Sequence, residues 1–172
     1  MPPSNMPVDT LTVKPASEAD LPAILEIYNY AVLNTTATAD YEPQTLESRK
    51  AWYEERLAGG YPVIVGERDG AVIGWAALSP YFPRYGYRFS AENSVYVAPE
   101  AQGQGVGRSL LGKLCEEADR MGLHSIIAKV DASNEASLRL HARFGFESAG
   151  YFRELIFKFD RWLDVVHLQR VR

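Results

Sequence analysis

Residues 94–118 read SVYVAPEAQGQGVGRSLLGKLCEEA, and the change of period inside this stretch decides the architecture. Ser94-Val95-Tyr96-Val97 is a strand-like run of β-branched and aromatic residues. Val106, Leu110, Leu111, Leu114, Ala118 and Met121 instead recur at helical spacing and give one apolar face. Between them lies Gln102-Gly103-Gln104-Gly105-Val106-Gly107. Glycines without a Cβ let backbone amides approach an anion closely. The unpaired N–H groups at the start of the following helix add the positive end of its dipole. The segment therefore reads as a phosphate site. A dinucleotide fingerprint, G-x-G-x-x-G, fails because its third glycine is replaced by Arg108. A nucleoside-triphosphate loop fails because Lys113 is followed by Leu114, which has no hydroxyl for magnesium. The pattern [QR]-x-x-G-x-[GA] between a strand and a helix is satisfied by Gln102, Gly105 and Gly107. On the motif alone, a tight strand-to-helix turn with spare glycines stays open as the alternative.

The rest of the chain supplies the neighbours of this unit. Leu11-Thr12-Val13 is a first strand, and Ser17 with Asp20 starts a helix that runs to about Leu33. A loop rich in threonine and alanine leads to Pro43 and a second helix through Trp52 and Leu57, ended by Gly59-Gly60. Residues 62–67 and 71–78 are strands joined by the hairpin signal Arg68-Asp69-Gly70. An aromatic and arginine-rich loop spans 80–88. Residues 124–130 form a strand, 135–144 a helix, and two late strands run over about 147–153 and 155–168. This order predicts a mixed α/β sheet with helices on both faces.

With 172 residues and 47% hydrophobic side chains, the chain suits one domain spanning 1–172 with a flexible N-terminus over 1–9. The net charge of −4 is mild and the basic residues are scattered, so no nucleic-acid footprint is expected. The first residues lack both a basic start and an apolar core, which predicts neither a leader nor a membrane span, and a cytoplasmic location by default. Cys115, the single cysteine, reads as a buried thiol. His124, His141 and His167 are far apart in sequence, and no metal is expected.

The Gln102 to Gly107 loop in its strand-helix setting resembles that of the GNAT acetyltransferases, where it wraps the pyrophosphate of acetyl-CoA. A second segment, Asn134-Glu135-Ala136-Ser137-Leu138-Arg139-Leu140-His141-Ala142-Arg143-Phe144-Gly145-Phe146, is similar to the superfamily's N-x-x-[AS]…G-[FY] helix. Ser137 with Leu140-His141 narrows the resemblance to the phosphinothricin and methionine-sulfoximine acetyltransferase branch, as do Ile27-Tyr28-Asn29, Thr36-Ala37-Thr38, Tyr41-Glu42-Pro43, Glu92-Asn93-Ser94-Val95-Tyr96-Val97 and Arg161-Trp162-Leu163-Asp164. The resemblance implies a GNAT fold: α/β, with a mixed, mostly antiparallel central sheet, helices on both faces and a splayed pair of strands at the acetyl-CoA site. It implies acetyl-CoA as co-substrate, held by Val95, Tyr96, Val97, Gln102, Gly103, Gln104, Gly105, Val106, Gly107, Arg108, Asn134 and Ser137.

Acetyl transfer from a thioester to an amine needs a neutral amine, a polarised carbonyl and a proton for the leaving sulfur. An α-amino group titrates near ~8 in peptide models, so a base is needed, and the resemblance assigns Glu92, acting directly or through a water. As an isolated residue, Glu92 reads equally as a strand carboxylate paired with Arg84 or Arg88. Backbone N–H groups near Val97 are expected to stabilise the carbonyl oxygen. His141 occupies the place where relatives commonly carry a tyrosine that protonates the thiolate; it is either that acid or a packed structural histidine. Phe82, Pro83, Arg84, Glu92, Asn93 and Ser94 map onto substrate-contacting positions, and Arg84 with Arg88 suits a substrate carboxylate. A small amino-acid-like substrate is implied, with a peptide N-terminus, a polyamine or a purely regulatory acetyl-CoA module as alternatives. The resemblance further implies a homodimer, with Phe159 and Trp162 in the contact.

Overall fold

The computed structural model describes residues 10–172, so the expected flexible stretch 1–9 lies outside them. Strand β1 (Thr12–Pro15) is followed by helices α1 (Leu21–Asn34) and α2 (Leu46–Ala58), then strands β2 (Val63–Arg68), β3 (Ala71–Pro80) and β4 (Ser90–Val97). Helix α3 (Val106–Arg120), β5 (Ser125–Asp131), α4 (Glu135–Ala142), β6 (Glu147–Lys158) and β7 (Arg161–Val171) complete the order.

Local chemistry sets the ends of these elements. The Ser17 amide donates to Asp20 Oδ2 at 2.8 Å ahead of α1, and the Thr45 hydroxyl accepts from the Ser48 amide to cap α2. Asp69 and Gly70 both adopt positive φ, 51° and 78°, the geometry that a two-residue hairpin between right-twisted strands requires. The late hairpin departs from expectation. Glu154 does not turn the chain; it sits in a bulge at φ 51°, its amide donating to Asp164 Oδ1 at 2.8 Å. The turn lies at Phe159 and Asp160, φ 52° and 55°, so β6 runs on to Lys158, longer than its sequence suggests, and β7 begins only at Arg161 and reaches Val171.

The seven strands form one sheet in the order β1-β2-β3-β4-β5-β7-β6, antiparallel throughout except for the parallel pair β4 and β5. Successive residues of β3 show its two faces. Trp75 is buried under α1 and α2, with its ring 6.2 Å from Tyr28 and 5.4 Å from Trp52. Gly74 lies under α3, where an added Cβ would come within 3.0 Å of both Val106 and Leu110. Gly66 pairs directly with Gly74 and faces the same two residues. The two glycines make a flat seat, and α3 presses onto it through Val106, Leu110, Leu111 and Leu114, all fully buried. Burial of such aliphatic side chains is worth about 1.5–3 kcal/mol each. Met121, read from the sequence as part of this face, is the exposed residue just past the helix end.

Candidate active site

The feature that creates a site is the short reach of the parallel pair. β4 and β5 are in register only over Ser90 with Ser125, Ala91 with Ile126 and Glu92 with Ile127. Beyond Glu92, β4 stays on β3 as far as Val97, while β5 follows β7 to Asp131, and the two strands part. The Ala98 amide donates to the Ile73 carbonyl, so the alternation of the ladder aims the backbone groups of Asn93, Val95 and Val97 into the gap. The resulting cleft, about 780 Å³, is bounded by these strands, the loop 35–39, the start of α3 and helix α4.

The glycine-rich loop closes the wide end. Gly103 and Gly105 have φ of 74° and 82°, and a Cβ on either would meet no protein atom within 4 Å. Gly105 starts α3, and the first amide to bond back is Ser109, to the Gly105 carbonyl at 3.0 Å. The N–H groups of Val106, Gly107 and Arg108 therefore point out of the helix start, and no side chain caps them. Open space above two left-handed glycines, three outward amides and the Arg108 guanidinium make a cradle that fits a diphosphate. Gln104 is different: it accepts from Arg68 and donates to the Glu100 carbonyl, which ties the loop to β2 and keeps it out of the cleft lining. The other residues expected at the cofactor all line the cleft. Asn134 Oδ1 accepts the Ser137 amide as the cap of α4, which leaves its Nδ2 donors as the group to offer a ligand.

At the narrow end, alternation along β4 divides the functional side chains between the faces. Asn93 points to the α4 side, where its Nδ2 lies 3.0 Å from His141 Nε2. His141 Nδ1 is 2.8 Å from the Ser137 carbonyl oxygen, which can only accept, so Nδ1 carries the proton and Nε2 accepts from Asn93. Burial pushes the imidazole below its ordinary value of 6.5, outweighing a smaller raising effect of the Ser137 backbone. The unfolded chain thus binds a proton that the folded chain refuses. The His141 contribution to stability is complete above about pH 6.5 and is lost as pH falls below it, by about 1.4 kcal/mol for each unit of pKa difference. Urea unfolding across this range should show His141→Gln flattening that part of the curve relative to the unsubstituted chain. His167, also lowered by burial, is present in both and cancels. An identical slope would show that the ring is not held neutral.

Glu92, Ser94 and Tyr96 point to the other face. Tyr96 stacks on Trp75 at 4.9 Å, and burial drives its phenol far above the ordinary range. Glu92 Oε2 is 2.8 Å from Lys129 Nζ on β5, a pairing that replaces the expected partners Arg84 and Arg88. The Lys129 ammonium also lies 5.9 Å from the Tyr81 ring, and Lys129 is the register partner of His167. Sequence reasoning had no signal for Lys129, because its partner depends on where β4 and β5 separate.

The structure does not bring Phe82, Pro83 or Arg84 into the cleft. All three are exposed, because the loop folds outward through a short helical turn at Tyr85–Tyr87. Arg88 is held by its own surroundings, 4.2 Å over Tyr85 and 4.4 Å over Phe89. Loop 35–44, by contrast, is pinned at many points. Thr36 donates to Asp131, Tyr28 donates to Asp40 at 2.6 Å, and Lys158 donates to the Thr38 carbonyl at 2.8 Å. Burial raises Asp131, but hydrogen bonds from Thr36 and Ser133 outweigh it and hold the carboxyl below its usual range. Arg49 stacks between Tyr28 and Trp52 and donates to Gln44 at 3.0 Å, fixing the end of the same loop. Among the described residues no cluster of histidine, cysteine or carboxylate side chains is arranged to hold a metal, and no helix is long and apolar enough to cross a membrane.

Comparison with known proteins adds to this geometry. The family model described as "Acetyltransferase (GNAT) family" matches residues 25–146. The L-methionine sulfoximine/L-methionine sulfone acetyltransferase of Salmonella typhimurium is 43% identical over 92% of this chain and 93% of its own length. A phosphinothricin acetyltransferase from Sinorhizobium meliloti, solved in complex with AcCoA, is 37% identical with a TM-score of 0.92, covering 94% of this chain and 88% of that one. A ribosomal-protein-alanine N-acetyltransferase from Brucella melitensis is 46% identical, also with a TM-score of 0.92, covering 94% and 99%.

Proposed function

Because the chain belongs to the GNAT acetyltransferase family, we propose that it transfers the acetyl group of acetyl-CoA to the α-amino group of a small amino acid or analogue of the methionine sulfoximine, methionine sulfone or phosphinothricin kind. One observation carries this reading: the parting of β4 and β5 leaves a cleft with a diphosphate cradle at one end and the carboxylate of Glu92 at the other. Acetyl-CoA supplies an activated acyl group as a thioester. The amides of Val106, Gly107 and Arg108 bind its diphosphate, and the backbone of Asn93, Val95 and Val97 lies along its extended arm. Glu92 accepts a proton from the substrate ammonium, directly or through a water, and so frees the lone pair that attacks. Backbone N–H groups of β4 stabilise the negative charge that grows on the carbonyl oxygen.

His141 takes a positioning role in this scheme. Its Nε2 accepts from Asn93 and its ring is held neutral, so it orients Asn93 and has no proton on that nitrogen to give. The departing thiolate is then protonated by water. The buried thiol of Cys115, pushed up to about 11 by burial, stays out of the chemistry.

A second reading, acetylation of a peptide N-terminus, is favoured by the likeness to the ribosomal-protein-alanine enzyme. Thiol release from acetyl-CoA should be measured with phosphinothricin, methionine sulfoximine, methionine sulfone, the common amino acids, a polyamine and a short peptide. Selective turnover of the first three is expected; turnover of the peptide or polyamine alone would overturn the substrate assignment. We further propose one catalytic domain, cytoplasmic, that pairs as a homodimer through the late strands. Tyr151, Phe157, Phe159 and Trp162 are all exposed on the β6–β7 hairpin, and apolar side chains grouped in this way suit a contact between two copies. Light scattering on the same preparation should give twice the chain mass of 19.2 kDa, and the single mass would refute pairing.

A further inference from the structure

Among the described residues four cationic side chains line the cleft, and three of them, Arg108 in α3, Arg139 in α4 and Arg143 just past the end of α4, lie at its cofactor side. Arg139 is also paired with Glu135 at 2.9 Å. The fourth, Lys129, stands on β5 across the fork from Glu92. Both partners of that ion pair keep contact with solvent, 44% of the Lys129 side chain and 28% of the Glu92 side chain, so each can be approached by a ligand. With Arg84 and Arg88 turned away in the outer loop, the end of the cleft beside the proposed base holds a single cation among the described residues.

We infer that Lys129 is the specificity-determining residue that receives the carboxylate of the amino-acid substrate while Glu92 receives its ammonium. This rests on the amino-acid acetyltransferase reading above. A free α-amino acid carries its two charges on groups bonded to one Cα, which sets the charged atoms about one hydrogen-bond length apart. The Glu92–Lys129 pair, 2.8 Å between charged atoms, is the complementary arrangement with the signs reversed. On docking, one ion pair exchanges for two, ordered head to tail. A half-exposed ion pair contributes little to stability, so opening it costs little. The same charges matched to a ligand inside a cleft that sheds water interact more strongly. Lysine suits the exchange because its ammonium rides on a flexible four-carbon stem with three donors.

The arrangement also rejects competitors. A polyamine would bring a second positive charge against Lys129, and a peptide N-terminus has an amide where the carboxylate belongs. The same side chain thus supports free amino acids over both alternative amines.

Methionine sulfone and its carboxamide differ only in that carboxylate and make the test. The unsubstituted enzyme should favour the acid in kcat/KM. In Lys129→Met the value for the acid should fall roughly 10- to 100-fold, mostly through KM, as expected for loss of a charge-assisted hydrogen bond. The acid-to-amide ratio should collapse toward one, with Lys129→Arg restoring much of it and the acetyl-CoA affinity little moved. An equal fall for acid and amide, carried by kcat, would show that Lys129 only tunes Glu92 and would overturn the inference. An unchanged ratio would do the same. If the unsubstituted enzyme turns over peptides but neither methionine sulfone nor its amide, the substrate reading itself fails, and the inference with it.

Discussion

Glu92→Gln should lower turnover by about 10²- to 10⁴-fold, the usual range for loss of a general base, while acetyl-CoA binding stays intact. The substitution keeps the shape of the side chain at the fork of β4 and β5 and removes only its capacity to take a proton. Raising the pH deprotonates the amine without help, so the deficit should shrink as pH climbs past the amine's own pKa, near ~8 in peptide models. That partial recovery separates a lost base from a misfolded site. The variant also breaks the ion pair with Lys129, and a half-exposed pair is worth only about 0–1 kcal/mol, too little to mimic the expected loss. Steady-state rates with methionine sulfone over a pH series, beside calorimetric titration with acetyl-CoA, decide it. An unchanged rate would remove Glu92 from the mechanism.

Gly105→Val should weaken acetyl-CoA binding roughly 10- to 100-fold, because one or two charge-assisted hydrogen bonds at about 1.5–3 kcal/mol each are lost. Two effects act together. At φ 82° a β-branched residue is strained, by about 1–2 kcal/mol, and the loop shifts to relieve it. The new side chain also enters the space above the loop, where no protein atom lies within 4 Å. The contrast is Gly107→Ala, whose Cβ would meet Leu140 at 3.4 Å and Val97 at 3.7 Å, ordinary contact distances, so cofactor affinity should fall far less. Titration calorimetry on both variants, with thermal melts to record fold stability, gives the comparison. Unaltered binding in Gly105→Val would refute the assignment of this loop.

The sequence was most readable where function depends on a short contiguous segment. The glycine loop needed only its own spacing and the periods on either side, and the residues read for it line the cleft, while Gln104 turns outward to Arg68. Glu92 was reachable through its position on the strand leading into that loop. Lys129 was not, since an ion pair across two strands depends on the residue at which their register ends. Arg84 and Arg88 looked like site residues by adjacency, yet a three-residue helical turn sends them outward. His141 shows a subtler limit: its identity is consistent with acid or prop, and only the Ser137 carbonyl and Asn93 amide on its two nitrogens fix the tautomer. The late turn was misplaced because Phe159 and Asp160 take a left-handed conformation that sequence assigns first to glycine.

The paired glycines 66 and 74 act as a depth gauge for the whole enzyme. How far α3 sinks toward the sheet is set by two positions on β2 and β3 outside the cleft lining, yet the glycine loop proposed to hold the diphosphate is continuous with that helix. A methyl group at position 74 would meet Val106 and Leu110 at 3.0 Å, so these side chains, or the start of α3 with its glycine loop, must give way. Variation at such positions would therefore register as altered affinity for the acyl donor, far from any residue that binds it. Chains sharing the same loop motif can differ in donor affinity according to what they carry at this seat.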